Sequence, residues 1–146
     1  MIALIQRVSE ARVEVDAATV GAIGPGLLAL IAVEPADGEA QVARLLERLL
    51  GYRVFADDTG RMNRSLADSG GGLLLVSQFT LAADTRKGMR PGFDTAAPPA
   101  QAQTWFERLV ERARAAHPVV ASGRFGAAMR VHLVNDGPVT FWLQTR

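Results

Sequence analysis

Cysteine is absent from the 146-residue chain. Disulfides, thiolate nucleophiles and sulfur-bound metals are excluded together, and the composition suits a reducing compartment. Lysine is nearly absent: of sixteen basic residues only Lys87 is a lysine. Arginine forms the better phosphate fork, but so lopsided a ratio reads as coding bias. Fifteen acidic residues bring the net charge to +1. A broad polyanion-binding surface is therefore not expected, and any nucleic-acid contact should be local. Histidine occurs twice, at His117 and His132, without His-x-His or His-Glu-x-x-His spacing. No metal site follows from such a pattern. Long apolar runs are missing too. The longest, Leu27 to Val33, is far below membrane-spanning length, and Arg7 interrupts the apolar start before it reaches the length of a signal core. A soluble, cytoplasmic protein without a membrane partner is expected.

What remains is a hydrophobic fraction of 49%, enough for one ordinary core and a single domain over 1–146. Met1 to Val8 is apolar and β-prone, Ala11 to Asp16 alternates, and Thr19 to Ile23 is a third candidate strand. Gly24-Pro25-Gly26 reads as a turn, and Leu27 to Val33 as a buried strand. Asp37 is a candidate cap for a helix starting near Gly38, with Val42, Leu45, Leu46, Leu49 and Leu50 on its apolar side. Val54-Phe55 is a brief strand and Leu73 to Phe79 a longer one. A loop from Ala82 to Pro99 follows. Pro98-Pro99 opens a second helix with Ala102, Trp105, Phe106, Leu109, Val110 and Ala113 as its stripe. Arg130 to Val134 and Val139 to Gln144 are the last strands, joined by Asn135-Asp136-Gly137-Pro138. Helices fall between strands only twice, so the pattern predicts an α+β fold. Its sheet is curled, barrel-like and largely antiparallel, with two amphipathic helices.

Three segments are candidates for chemistry. Ser77-Gln78-Phe79-Thr80 closes the Leu73 strand, where period two puts Ser77 and Phe79 on one face and Gln78 and Thr80 on the other. Polar groups where a buried strand runs out are well located to meet a ligand; equally, a strand end turning to solvent looks the same. No histidine or carboxylate sits at an offset that marks a triad. Asn135-Asp136-Gly137-Pro138 has the residues of a tight turn between strands. A cis Gly-Pro bond there is open to it as to any X-Pro, and would aim two carbonyl oxygens in one direction, suited to an ammonium group. The loop Asp84 to Pro91 carries Arg86, Lys87 and Arg90, a set that fits phosphates or plain solvent. His132 and His117 read as structural, the latter at a helix end.

These segments together resemble the D-aminoacyl-tRNA deacylase family. Met1-Ile2-Ala3-Leu4-Ile5-Gln6-Arg7-Val8 looks like its first strand, and Leu49 to Phe55 with Gly60-Arg61-Met62-Asn63 like its middle. Val76 to Asp84 and Leu133 to Phe141 are the most specific matches, and Gly88 to Pro91 and Gly123 to Phe125 also agree. Asp94 to Ala102 and Ala116 to Ala121 are less similar. The resemblance implies a homodimer acting on aminoacyl-tRNA, with no cofactor and no DNA partner. It implies a cis Gly137-Pro138 that reaches into the partner's pocket and rejects L-aminoacyl groups, with Arg7 holding that motif. Achiral glycine is admitted, so mischarged Gly-tRNA, as on tRNA(Ala), is an implied substrate. Ser77, Gln78, Phe79, Thr80 and Met129 are implied to line the pocket for the terminal adenosine and the ester, with Thr80 the candidate catalytic residue. A non-catalytic dimeric domain binding tRNA ends or nucleotides fits the residues otherwise, as does a Thr-dependent esterase, though no base for it is evident.

Overall fold

Apolar residues on both faces of the Leu27 and Leu73 segments require cover on both sides, and the chain supplies it with helices on one side and a curled sheet on the other. The computed structural model describes residues 1–146. Its elements are β1 (Ile2–Val15), β2 (Ala18–Ile23), β3 (Gly26–Ala32), α1 (Glu39–Gly51), β4 (Phe55–Ala56), β5 (Met62–Arg64), α2 (Leu66–Ser69) and β6 (Gly72–Ser77). A 3-10 turn (Phe79–Ala82), α3 (Pro99–Ala116), β7 (Val120–Ser122) and β8 (Arg130–Gln144) complete the chain. The fold is α+β, as expected.

The main sheet runs β2-β1-β3-β6-β7, with β8 on the other side of β1. β1 pairs antiparallel with β2, β3 and β8, whereas β3–β6 and β6–β7 are parallel. The sheet is thus more mixed than the alternation predicted. The parallel pairs follow from α1 and α3, which carry the chain back between strands. The sheet nearly closes on itself. A Cβ on Gly21 of β2 would lie 2.5 Å from the Ser122 carbonyl oxygen of β7, so only glycine lets the two backbones come this near.

Leu27, Ala29, Ile31, Leu73 and Leu75 face α1 and α3 in the principal core; Leu28, Leu74 and Val76 face inward with Val8 and Val13. Burying each such leucine is worth about 1.5–3 kcal/mol relative to exposure. The core therefore holds β6, and the turn after it, on a rigid base.

Several expectations need correction. The two N-terminal strands are one, and so are the two C-terminal ones, because β1 and β8 pair along nearly their whole lengths. Asn135 to Pro138 is therefore not a hairpin turn but an interruption inside β8. There are three helices, not two. The third, α2, is a single turn that Ser65 and Asp68 cap reciprocally, at 3.1 and 3.0 Å. Asp37 does not cap α1. Its carboxylate accepts from the buried Met1 ammonium at 2.6 Å and from the Glu34 amide at 2.7 Å, since a buried charge needs a partner more than a helix end does. The Gln41 side chain accepts from Gly38 N instead, at 2.9 Å. His117 does end α3, and its Nε2 donates to the Gly71 carbonyl at 2.6 Å.

Candidate active site

β6 ends where its pairing partner does. Ser77 lies opposite Ile31, and the Gln78 amide donates to the Ile31 carbonyl at 2.7 Å. Beyond that bond Gln78 leaves the strand (φ −144°, ψ 74°) and Phe79–Ala82 wind into the 3-10 turn. The expected alternation across Ser77–Thr80 therefore stops at Gln78, because the Leu81 amide turns back to the Gln78 carbonyl. The amides of Phe79 and Thr80 begin this turn, so neither has a partner within it.

The Gln78 side-chain amide donates to the Thr80 hydroxyl. Thr80 lines a cavity of about 490 Å³ with Glu34, Asp84, Arg86 and Trp142. Both carboxylates there are already engaged. Glu34 accepts from the Met1 ammonium at 3.0 Å and from Gln144 at 3.0 and 3.1 Å. Burial acts on Glu34 to raise its pKa, but these bonds outweigh it and hold the carboxyl below its ordinary value. Asp84 is forked by Arg86 at 2.9 and 2.7 Å. Phe79 is 54% exposed, and its ring lies 5.1 Å from that of Phe93. Sequence reasoning missed Phe93, Glu34 and Trp142; the Phe79–Phe93 contact joins residues on either side of a long loop and leaves no local pattern.

Met129 lies just before β8 and packs against the inner core cluster that includes Val8, Val13, Leu74 and Val76. Its Sδ passes over Gly123, at 2.7 Å from where a Cβ would stand. Gly123 in turn donates its amide to the Leu75 carbonyl at 2.9 Å. Met129 is thereby held over Gly123, whose amide is bonded to Leu75 of β6.

Arg7, Gly137 and Pro138 form a second group. Gln6 pairs with Thr140 and Val8 with Asn135, so Asp136 to Val139 stand opposite Arg7 alone and bulge outward. The Gly137–Pro138 bond is cis. Arg7 braces the bulge: Nε donates to the Asp136 carbonyl at 3.2 Å, and Nη1 to the Val54 carbonyl at 2.7 Å. Asn135 closes it, accepting from the Val139 amide at 3.2 Å and donating to the Thr140 hydroxyl at 2.9 Å. The Val54 anchor is a main-chain atom, so side-chain patterns give no hint of it.

One chain does not bring the two groups together. β8, β1, β3 and β6 lie side by side, and Arg7 pairs with Leu27 while Ser77 pairs with Ile31. Strand geometry then separates Gly137 from Ser77 by on the order of 15 to 20 Å.

The family model described as D-Tyr-tRNA(Tyr) deacylase matches residues 4–144. A D-aminoacyl-tRNA deacylase of Stenotrophomonas maltophilia (strain K279a) is 68% identical over 145 residues, 99% of each chain. A solved structure named c-Myc DNA Unwinding Element Binding Protein superposes with a TM-score of 0.96 at 36% identity, over 100% of this chain and 99% of that one. Another, of a probable eukaryotic D-amino acid tRNA deacylase, shares the fold with a TM-score of 0.84 at 17% identity, over 97% of each chain. On a match that takes in both groups of site residues, this chain belongs to the D-Tyr-tRNA(Tyr) deacylase family.

Proposed function

We propose that this protein hydrolyses the ester bond of D-aminoacyl-tRNA, releasing the free D-amino acid and the tRNA, and spares L-aminoacyl-tRNA. Family membership over nearly the whole chain, with the Ser77–Thr80 turn intact, is the observation that carries the reading. Water adds to the ester carbonyl carbon, the bond to the ribose 3′ oxygen breaks, and that oxygen takes up a proton. The amides of Phe79 and Thr80, at the start of the turn, suit the oxyanion that develops on the carbonyl oxygen. Phe79, Gln78 and Met129 form the wall against which the terminal adenosine rests.

The filter for chirality is the Gly137–Pro138 bulge of a second copy in a homodimer. Its carbonyl oxygens accept from the substrate's ammonium group, leaving no space for an L side chain. Glycine lacks a side chain and passes, so mischarged Gly-tRNA is a substrate as well. The separation of the two groups in one chain supports this division of labour between two.

The test compares release of D- and L-tyrosine from tRNA(Tyr), with and without chelator. Fast, chelator-insensitive D release and slow L release are expected. Equal rates for the enantiomers would overturn the filter. Binding without hydrolysis would favour the other reading, a nucleic-acid-binding domain without catalysis, which the name of the 36%-identical relative favours.

A further inference from the structure

Three of the chain's sixteen cations fall within five residues, at Arg86, Lys87 and Arg90. With Asp84 they give this loop a net +2, so the remainder of a +1 chain carries −1. Basic charge is concentrated in one place. We propose that Lys87 and Arg90 grip the RNA backbone, receiving the phosphodiesters on the 5′ side of the nucleotide whose ester is cleaved; this rests on the reading above.

The loop is built to hold its shape. Asp84 and Gly92 exchange two main-chain hydrogen bonds, at 2.8 and 2.9 Å. Asp84 also accepts from the Arg86 amide at 3.0 Å and from the Arg86 guanidinium. Gly88 turns the tip at a positive φ of 69°. Arg86 is thus consumed in bracing the loop, whereas Lys87 and Arg90 make no ion pair within the chain. Those two line a cavity of about 460 Å³ together with Asp84, Arg86 and Gly92, and no apolar side chain shares it. Such a lining suits a hydrated anion, not a side chain or a base.

The position selects the anion. Asp84 and Arg86 line both this cavity and the one that holds Thr80, so the two share a wall. Phe93, next after Gly92, lies against Phe79 and ties the loop's base to the turn. A nucleotide bound at Phe79 and Thr80 with its ester in place continues on its 5′ side as a phosphodiester chain. The adjacent cationic cavity is the exit that neutralises it.

The experiment measures cleavage of D-tyrosyl-tRNA(Tyr) and of a 3′-O-D-tyrosyl-adenosine without phosphates, by wild type and by a Lys87→Gln/Arg90→Gln double variant. On tRNA the double variant should show KM about tenfold higher with kcat within about twofold. The slope of log kcat/KM against log salt should become shallower by about 1.4, the value for two single-strand phosphates lost. On the adenosine ester the two proteins should be alike, and Arg90→Lys should recover most of the salt slope. An unchanged KM and slope on tRNA would overturn the proposal while leaving the deacylase reading intact. An equal loss on the phosphate-free ester would overturn it too, by showing that the loop shapes the pocket. A wild type that cleaves neither substrate would sink the deacylase reading and this proposal with it.

Discussion

The hydroxyl of Thr80 accepts a hydrogen bond from the Gln78 amide, whereas a nucleophile needs a base to take its proton. The carboxylates sharing its cavity, Glu34 and Asp84, are held by the Met1 ammonium, Gln144 and Arg86. The substrate supplies an alternative in the ribose 2′-OH beside the ester, which proximity to a held water makes effective. Thr80→Ala should therefore lose no more than about tenfold in kcat, roughly 1.4 kcal/mol. A terminal 2′-deoxy substrate with the same 3′ ester should be cleaved far more slowly. An acyl-Thr80 adduct seen by mass spectrometry would reverse the assignment. At Gly137 the constraint is steric. Its φ is +131°, and a Cβ would meet Val139 Cγ2 at 2.7 Å, Val139 N at 3.0 Å and Arg7 Nη2 at 3.2 Å. Gly137→Ala should push the bulge off Arg7 and misplace its carbonyls. D-substrate turnover is expected to fall by about a hundredfold, the scale of an ångström-sized misplacement. Turnover near wild type in a folded Gly137→Ala protein would remove the bulge from the site.

At the scale of elements, how a segment is paired decided what its residues could reveal. Leu27 to Val33 and the two amphipathic helices were legible because burial writes apolar runs and stripes directly into sequence. Asn135-Asp136-Gly137-Pro138 reads in sequence as a turn because the same residue types serve tight turns and bulges. Only the register of β8 on β1 distinguishes them, and register is a long-range property. The short strands β5 and β7, three residues each, are too brief to carry a period. Gly123 shows how a neutral-looking residue acts through an element. Its missing side chain gives the Met129 thioether its place beside β6. Gly123→Ala should displace the flexible end of Met129 at a cost of about 1 kcal/mol, the low end for overpacking. Raised KM with nearly unchanged kcat is the expected signature. Met129→Ala should raise KM similarly, and the double variant should add little, since coupled neighbours are not additive. Additive effects would mean that Met129 and Gly123 act separately.

At the scale of the molecule, the separation of Gly137 from Ser77 within one chain makes assembly the decisive question. A single chain presents the Phe79–Ala82 turn at the end of β6 and a braced bulge midway along β8. On the proposed function each site needs both groups, and no sequence pattern says whether two copies share one pocket. A closed two-fold dimer would meet that need with one contact used twice, because each bulge would then reach the other chain's turn. The arrangement is testable by mixing. Gln78→Ala and Gly137→Ala homodimers each lack one half of every site. In a heterodimer, one site draws an intact turn from the Gly137→Ala chain and an intact bulge from the Gln78→Ala chain, while the other site is doubly damaged. Random exchange makes half of the dimers mixed, so activity should recover to about a quarter of wild type under the two-fold geometry. Exchange is followed independently with differently tagged chains and native mass spectrometry. Complete exchange without recovery would place each site within one chain. The Gly137 bulge would then have to act on its own sheet, across a distance its length does not span.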